Sequence, residues 1–394
     1  MSASKTVKDA VHDHIQVEGV ALDLLDTPEM QRLRHIRQLG TAYLVYPSAN
    51  HTRFEHSLGV YNLAKKAMKS LGVDGRDAEA ISAASLLHDV GHTPFSHTVE
   101  DVVEEYTGKR HDEVDSILEG NVSRVLDDYG IDTRRVASLI RGEGRLGQII
   151  SGKLDVDRMD YLVRDAHHTG VPYGTIDSTR LILELELHDG ELVLGEGNVQ
   201  TAEALLIARS LMHPTVYNHH VARISQAMLR RATRRLVETT DVDAHDVRRM
   251  DDHELVVELR RSRGTRDLGR RVTRRRLYKR AVWEPYDELP FDFDSDTDAE
   301  TSASSENVSE IEEEVAEKAD IDPDEVILDV SPPPEIDETS ACVLVDGEKT
   351  SIEDASPLVG DLHSSFGDQW RYGVYCPGED VGDVASAFES LYSA

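Results

Sequence analysis

The chain has 394 residues and a formal net charge of −32, with 75 acidic against 43 basic side chains. That length suits one large domain or two ordinary ones, and so acidic a balance argues against a protein that wraps DNA or coats a membrane surface. With no run of eighteen apolar residues, no apolar centre in MSASKTVKDAVHDH and two cysteines, Cys342 and Cys376, without metal-ligand spacing, the expectation is a soluble cytoplasmic protein in a reducing compartment.

In chain order, the first 235 residues read as helix-rich. TPEMQRLRHIRQLG carries start and stop signals, with Thr27 as N-cap, Pro28 at the first helical position and Gly40 after the end. Segments 57–71, 77–88, 112–128 and 133–141 follow, with apolar residues at three- and four-residue spacing. LILELELHDGELVLG alternates about Asp-Gly and predicts a β-hairpin over 181–195. One long helix is expected over 198–238, and further helices over 246–282, ending in the basic run RRVTRRRLYKR. The acidic stretch of 284–320 is too poor in apolar residues to offset its ordering entropy, which predicts a disordered or weakly helical linker. Strands at VILDV, ACVLVDG and WRYGVYCP, and helices at PLVGDLHSSF and VGDVASAFESLY, predict a small α+β module over 321–394. The expected division is a core over 1–238, a helical extension over 239–283, the linker and the module.

Chemistry concentrates in SLLHDVGHTPFSH, residues 85–97. The dipeptide HD alone is weak evidence: it occurs at 12–13, 88–89, 111–112, 188–189 and 245–246. His88 and Asp89, however, end an apolar helix, where an unpaired imidazole and carboxylate would cost several kcal/mol on burial. HTRFEHSLGV adds His51, Arg53 and His56, and KLDVDRMDYLVRDAHHTG sets Asp157, Tyr161 and Asp165 on one helical face. Imidazoles and carboxylates without thiolate suit Mn, Fe, Co, Ni, Zn or Mg. Spacing alone leaves two alternatives open, a metal centre or a set of capped helix ends with Asp160–Arg164 as an i,i+4 ion pair.

The strings NHTRFEHSLGV, LLHDVGHTPFSH and LDVDRMDYLVRDAHH resemble the metal-dependent HD-domain phosphohydrolase superfamily. Within it, the stretch from Met30 to Tyr217 is similar to the SAM-and-HD-domain deoxynucleoside triphosphate triphosphohydrolases and their prokaryotic and archaeal relatives. Residues 1–20 are too few for a SAM domain. The resemblance implies a mainly α fold built on an HD-domain helical core. It places a divalent metal on His56, His88, Asp89 and Asp157, and it alone selects Asp157 over Asp155 or Asp160. It assigns ligand orientation and proton transfer to His92, His97 and His111, with Glu100 as acidic partner where the closest relatives carry aspartate. Phosphate contacts fall on Arg53, Arg158 and Arg209, with Arg158 replacing a lysine and gaining a bidentate fork. Tyr217 corresponds to the tyrosine beneath the deoxyribose, and Gln38, Tyr161 and Asp165 to groups around the 3′-hydroxyl. Arg209, His213 and Tyr217 recur every four residues on one face of the expected long helix. Core packing is the plain alternative for each tyrosine, and a solvated face for any single arginine.

The implied reaction is hydrolysis of a deoxynucleoside triphosphate (dNTP) to deoxynucleoside and inorganic triphosphate, with His97 or His111 protonating the departing 5′-oxygen. Alternatives that keep the site are a phosphodiesterase or nucleotidase on cyclic or short nucleotides, or a nucleotide-binding regulator without turnover, because fold does not settle substrate. A homo-oligomer, dimer or tetramer, is implied, while Pro214, Thr215 and His220 stand where relatives with intersubunit activator sites carry arginine or lysine. Nucleic acid is not the favoured partner. Ten lysines leave arginine to supply most of the positive charge, and an acidic surface scarce in lysine suggests a halophilic source, where counterions screen the repulsion.

Overall fold

The computed structural model describes residues 4–291, 303–330 and 337–392. The body is helical, as expected. Three helices form its frame: Arg53–Leu71, Gly75–Leu87 and Val156–Thr169. Leu58, Leu63, Ile81, Leu86, Met159 and Leu162 close the core between them. Local chemistry sets their ends. Thr52 and Glu55 make a reciprocal capping box, and Gly72 stops the first helix in the left-handed region at φ 66°. Asp155 caps the third by accepting from the Arg158 backbone N–H at 2.8 Å.

Among the described residues, three small sheets attach to this frame. The first is a hairpin that periodicity did not flag, β1 (Ser4–Asp9) with β2 (Asp13–Glu18), whose Ile15 and Val17 are fully buried. The expected hairpin forms as β3 (Leu185–His188) and β4 (Glu191–Leu194), turning through Asp189 and Gly190 at positive φ. Strands β5 (Lys279–Pro285), β6 (Ile327–Asp329), β7 (Cys342–Val345), β8 (Glu348–Ser351) and β9 (Arg371–Cys376) complete the set. The second sheet runs β3-β4-β7-β8, with β7 parallel to β4, and the third runs β5-β9-β6, with β9 antiparallel to both neighbours.

The expected small α+β region lies toward the C-terminus, where β7 and β8 extend the β3–β4 hairpin and Val343 joins the same core as Leu58. Other expectations are corrected. Within the acidic stretch, residues 292–302 lie outside the described residues, but Ala303–Ala319 is a helix packed on the Val381–Tyr392 helix. Val308, Ile311, Val315 and Ala319 form its apolar face, and Arg231 neutralises its buried Glu312. The long helix of 198–238 is two, Val199–Met212 and His220–Thr239, separated by a π-helical turn at His213–Tyr217, because Pro214 has no N–H to continue the ladder. The first helix ends early: Pro28–Arg32 gives way to a 3-10 turn, and the Arg37 N–H goes to Asp252 at 3.1 Å. Residues 112–120 are turns, the helix there being confined to Asn121–Asp128.

Candidate metal centre and substrate cavity

His56 lies on the first turn of the Arg53–Leu71 helix, His88 and Asp89 directly follow Gly75–Leu87, and Asp157 opens Val156–Thr169. The packing of the three helices brings all four side chains together. His56 Nε2 is 2.8 Å from Asp157 Oδ1, 3.8 Å from Asp89 Oδ2 and 3.3 Å from His88 Nε2. His88 Nε2 is 3.3 Å from Asp89 Oδ1 and 3.8 Å from Asp157 Oδ1.

The donor set fits a divalent cation. His88 Nδ1–H donates to the Ser85 carbonyl at 3.0 Å and His56 Nδ1–H to Asp160 at 2.8 Å, which leaves both Nε2 atoms facing the centre. The two rings meet at 73° with their Nε2 atoms 3.3 Å apart. Burial opposes charge on His56, but its hydrogen bonds to the accepting carboxylates of Asp157 and Asp160, with Asp89 nearby, outweigh it, pushing the imidazole up to about 10. This knot of carboxylates therefore demands positive charge, which a proton or a metal ion can satisfy.

A second cluster lies beside it. Glu100 accepts from His97 Nδ1–H at 2.6 Å and from both the side chain and the backbone N–H of His111. Burial works to raise the Glu100 carboxyl, but the charge on His97 and hydrogen bonds from His111 hold it far below the usual range. Burial works against charge on His111, yet Glu100 raises it above the ordinary imidazole value. His92 stacks on His111 at 4.3 Å and 12°, with Nε2 3.1 Å from Asp89 Oδ1. Burial, with Arg53 and His111 nearby, holds His92 well below its ordinary value. The ligating atoms of this cluster stand close enough to hold an ion, and the hydrogen bonds to Glu100 equally suit its imidazoles to carry protons. Its geometry needs Gly91, where a Cβ would sit 1.9 Å from the His111 carbonyl oxygen. It also needs left-handed backbone at Phe95 and Ser96, φ 57° and 60°, strain held by the Phe95 N–H to Asp252 bond at 2.6 Å.

Both clusters open on a cavity of about 1000 Å³. Its wall includes Gln38, Arg53, Arg158, Tyr161, Asp165, Arg209, His213 and Tyr217, all the predicted substrate contacts. Arg53 also grips both Asp89 oxygens at 3.0 Å and donates to Ser96, so it braces a candidate metal ligand from the cavity side. Tyr217 O–H donates to Asp165 at 2.9 Å, and His51 holds the other Asp165 oxygen at 2.7 Å. Gln38 presents a buried Oε1 with no hydrogen-bond partner among the described residues. Sequence reasoning missed Gln226 and Arg230 in the wall and His12 behind it, where the only trace of His12 was one of five HD dipeptides. It treated Asp160 and Arg164 as an ion pair; they do pair, at 2.8 Å, but Asp160 also orients His56.

The HD-domain profile matches residues 53–165, which hold every candidate metal ligand, and the profile of the HD associated region matches residues 176–393. The chain belongs to the HD-domain phosphohydrolase family. An uncharacterized protein from Methanocaldococcus jannaschii is 33% identical over 390 residues, covering 96% of this chain and 81% of its own. A deoxynucleoside triphosphate triphosphohydrolase SAMHD1 homolog from Dictyostelium discoideum is 31% identical over 250 residues, 58% of this chain and 48% of that one. This chain thus spans about half the length of that relative. A phosphohydrolase of known structure from Bacteroides thetaiotaomicron matches with a TM-score of 0.75 at 25% identity, over 95% of this chain and 100% of its own. No helix among the described residues is long and apolar enough to cross a membrane.

Proposed function

We propose that this protein hydrolyses deoxynucleoside triphosphates to deoxynucleoside and inorganic triphosphate with a divalent metal held by His56, His88, Asp89 and Asp157. The observation that carries the reading is one cavity wall that joins His88, Asp89 and Asp157 to the Glu100-linked histidines and to Tyr217–Asp165. When bound, the cation would neutralise phosphate charge and make a nearby water more acidic. Arg53, Arg158 and Arg209 on the wall offset triphosphate charge inside an otherwise acidic molecule. His111, whose affinity for its proton Glu100 raises, or the more exposed His97 would give its proton to the departing 5′-oxygen. Tyr217, braced by Asp165 and His51, offers a rigid face against the sugar. The similarity to a named triphosphohydrolase supports the substrate class. The test is incubation of purified protein with each dNTP and Mn or Mg, with products separated by ion exchange. Intact triphosphate is expected; pyrophosphate or monophosphate products would refute this reaction.

A further inference from the structure

We infer that the N-terminal hairpin β1–β2 is a working part of the metal centre: His12 and Asp9, acting through Asp160, hold the His56 ring with its Nε2 toward the cation. The inference rests on the metal-binding reading above.

Asp160 is the pivot. Its Oδ2 accepts from His56 Nδ1–H at 2.8 Å and from Arg164 Nε–H at 2.8 Å. Its Oδ1 accepts from His12 Nε2–H at 2.5 Å and from Arg164 Nη2–H at 3.0 Å. Arg164 in turn donates from Nη1 to Asp9 at 2.8 Å. Asp9 also shapes the hairpin turn, since its other oxygen accepts the backbone N–H groups of Val11 and His12 at 2.9 and 2.7 Å. One carboxylate thus forms the turn that delivers His12 and anchors the guanidinium that clamps Asp160.

Asp160, Arg164 and His56 have no exposed surface, and a buried ionic network of this kind is a weak source of stability compared with apolar packing. Orientation is what it does supply. A carboxylate that takes the Nδ1 proton fixes tautomer and ring plane together and makes the other nitrogen a better ligand. The approach also requires Gly59, one turn beyond His56, where a Cβ would sit 1.9 Å from Asp160 Oδ1. His12, from the HD pair at residues 12–13, therefore serves the same ion as the pair at 88–89, but from behind it.

The test measures Mn2+ or Zn2+ affinity of the full chain by competition with a chromogenic chelator, alongside melting of the EDTA-treated protein. His12→Leu and Gly59→Ala are expected to weaken metal binding by roughly 10–100-fold, the usual effect of losing a hydrogen-bond partner behind a metal ligand. His12→Gln, whose amide can still donate, is expected to recover part of the loss. Asp13→Asn, an exposed change at the same turn, should bind like wild type. If His12→Leu does not fold, the decision passes to Gly59→Ala, which alters no donor or charge. Unchanged metal affinity in the folded variants overturns the role of the hairpin and leaves the metal centre standing. A wild-type chain that binds neither ion overturns both.

Discussion

Glu100 holds two imidazoles at once, and the consequence is a pH dependence with a definite sign. The carboxylate raises His111 above its ordinary value, so a general acid there stays loaded to higher pH than a free imidazole would and empties as pH rises through the raised value. Glu100→Gln is expected to move the basic limb of the pH–rate profile to lower pH and to cut kcat by roughly 10²–10⁴; an unmoved limb would show that Glu100 does not tune the acid. His213 has the opposite sense. Burial, with Arg209 beside it, pushes it down to about 3. The unfolded chain then binds the proton more readily, so the contribution of His213 is complete above the unfolded value of about 6.5 and is lost as pH falls toward 3. Urea midpoints measured across that window should fall less steeply in His213→Leu than in wild type. At the metal centre, His88→Ala combined with Asp89→Ala is expected to remove bound metal and turnover together, read by elemental analysis and dNTP hydrolysis. His88 and Asp89 stood out in the sequence as a buried imidazole and carboxylate at a helix end, but spacing left a capped helix end equally open, and the family resemblance chose the metal reading. The grip of His12 on Asp160 was not legible, since nothing local to either segment encodes a contact across 148 residues.

Among the elements, the His220–Thr239 helix shows where function and stability meet. Arg230 belongs to the cavity wall, yet with Arg223 it is tied to Asp329 on β6, each at 2.9 Å, while Tyr375 O–H on β9 donates to the same carboxylate at 2.8 Å. Asp329 is 3% exposed, so Asp329→Ala leaves a buried guanidinium without its carboxylate. That loss should cost about 3–5 kcal/mol in urea unfolding, and a cost below about 1 kcal/mol would mean solvent takes over the bond. Elements with clean periodicity, such as 57–71 and the Asp-Gly hairpin, follow the sequence closely. The acidic Ala303–Ala319 helix does not, because its few apolar residues matter only once the Val381–Tyr392 helix lies opposite them. The break at His213–Tyr217 was marked by Pro214 and overridden by the regular spacing of Arg209, His213 and Tyr217. That spacing holds the cavity face but not the helix.

Across the whole molecule, the charge of −32 is a repulsion that folding must overcome at every ionic strength. At 1 M salt the screening length is about 3 Å, against about 10 Å at 0.1 M. The melting temperature is therefore expected to climb steadily with KCl, measured by circular dichroism; a decline over that range would remove the halophilic reading. The topology sets a different constraint. Strand β9 lies between β5 and β6, and β7 lies against β4. The middle strand of the third sheet thus follows both of its partners in the chain, and they must wait for it with their edges open. A nascent chain halted before residue 371 would carry every proposed metal ligand and still lack the strand whose Tyr375 O–H completes the clasp on Asp329.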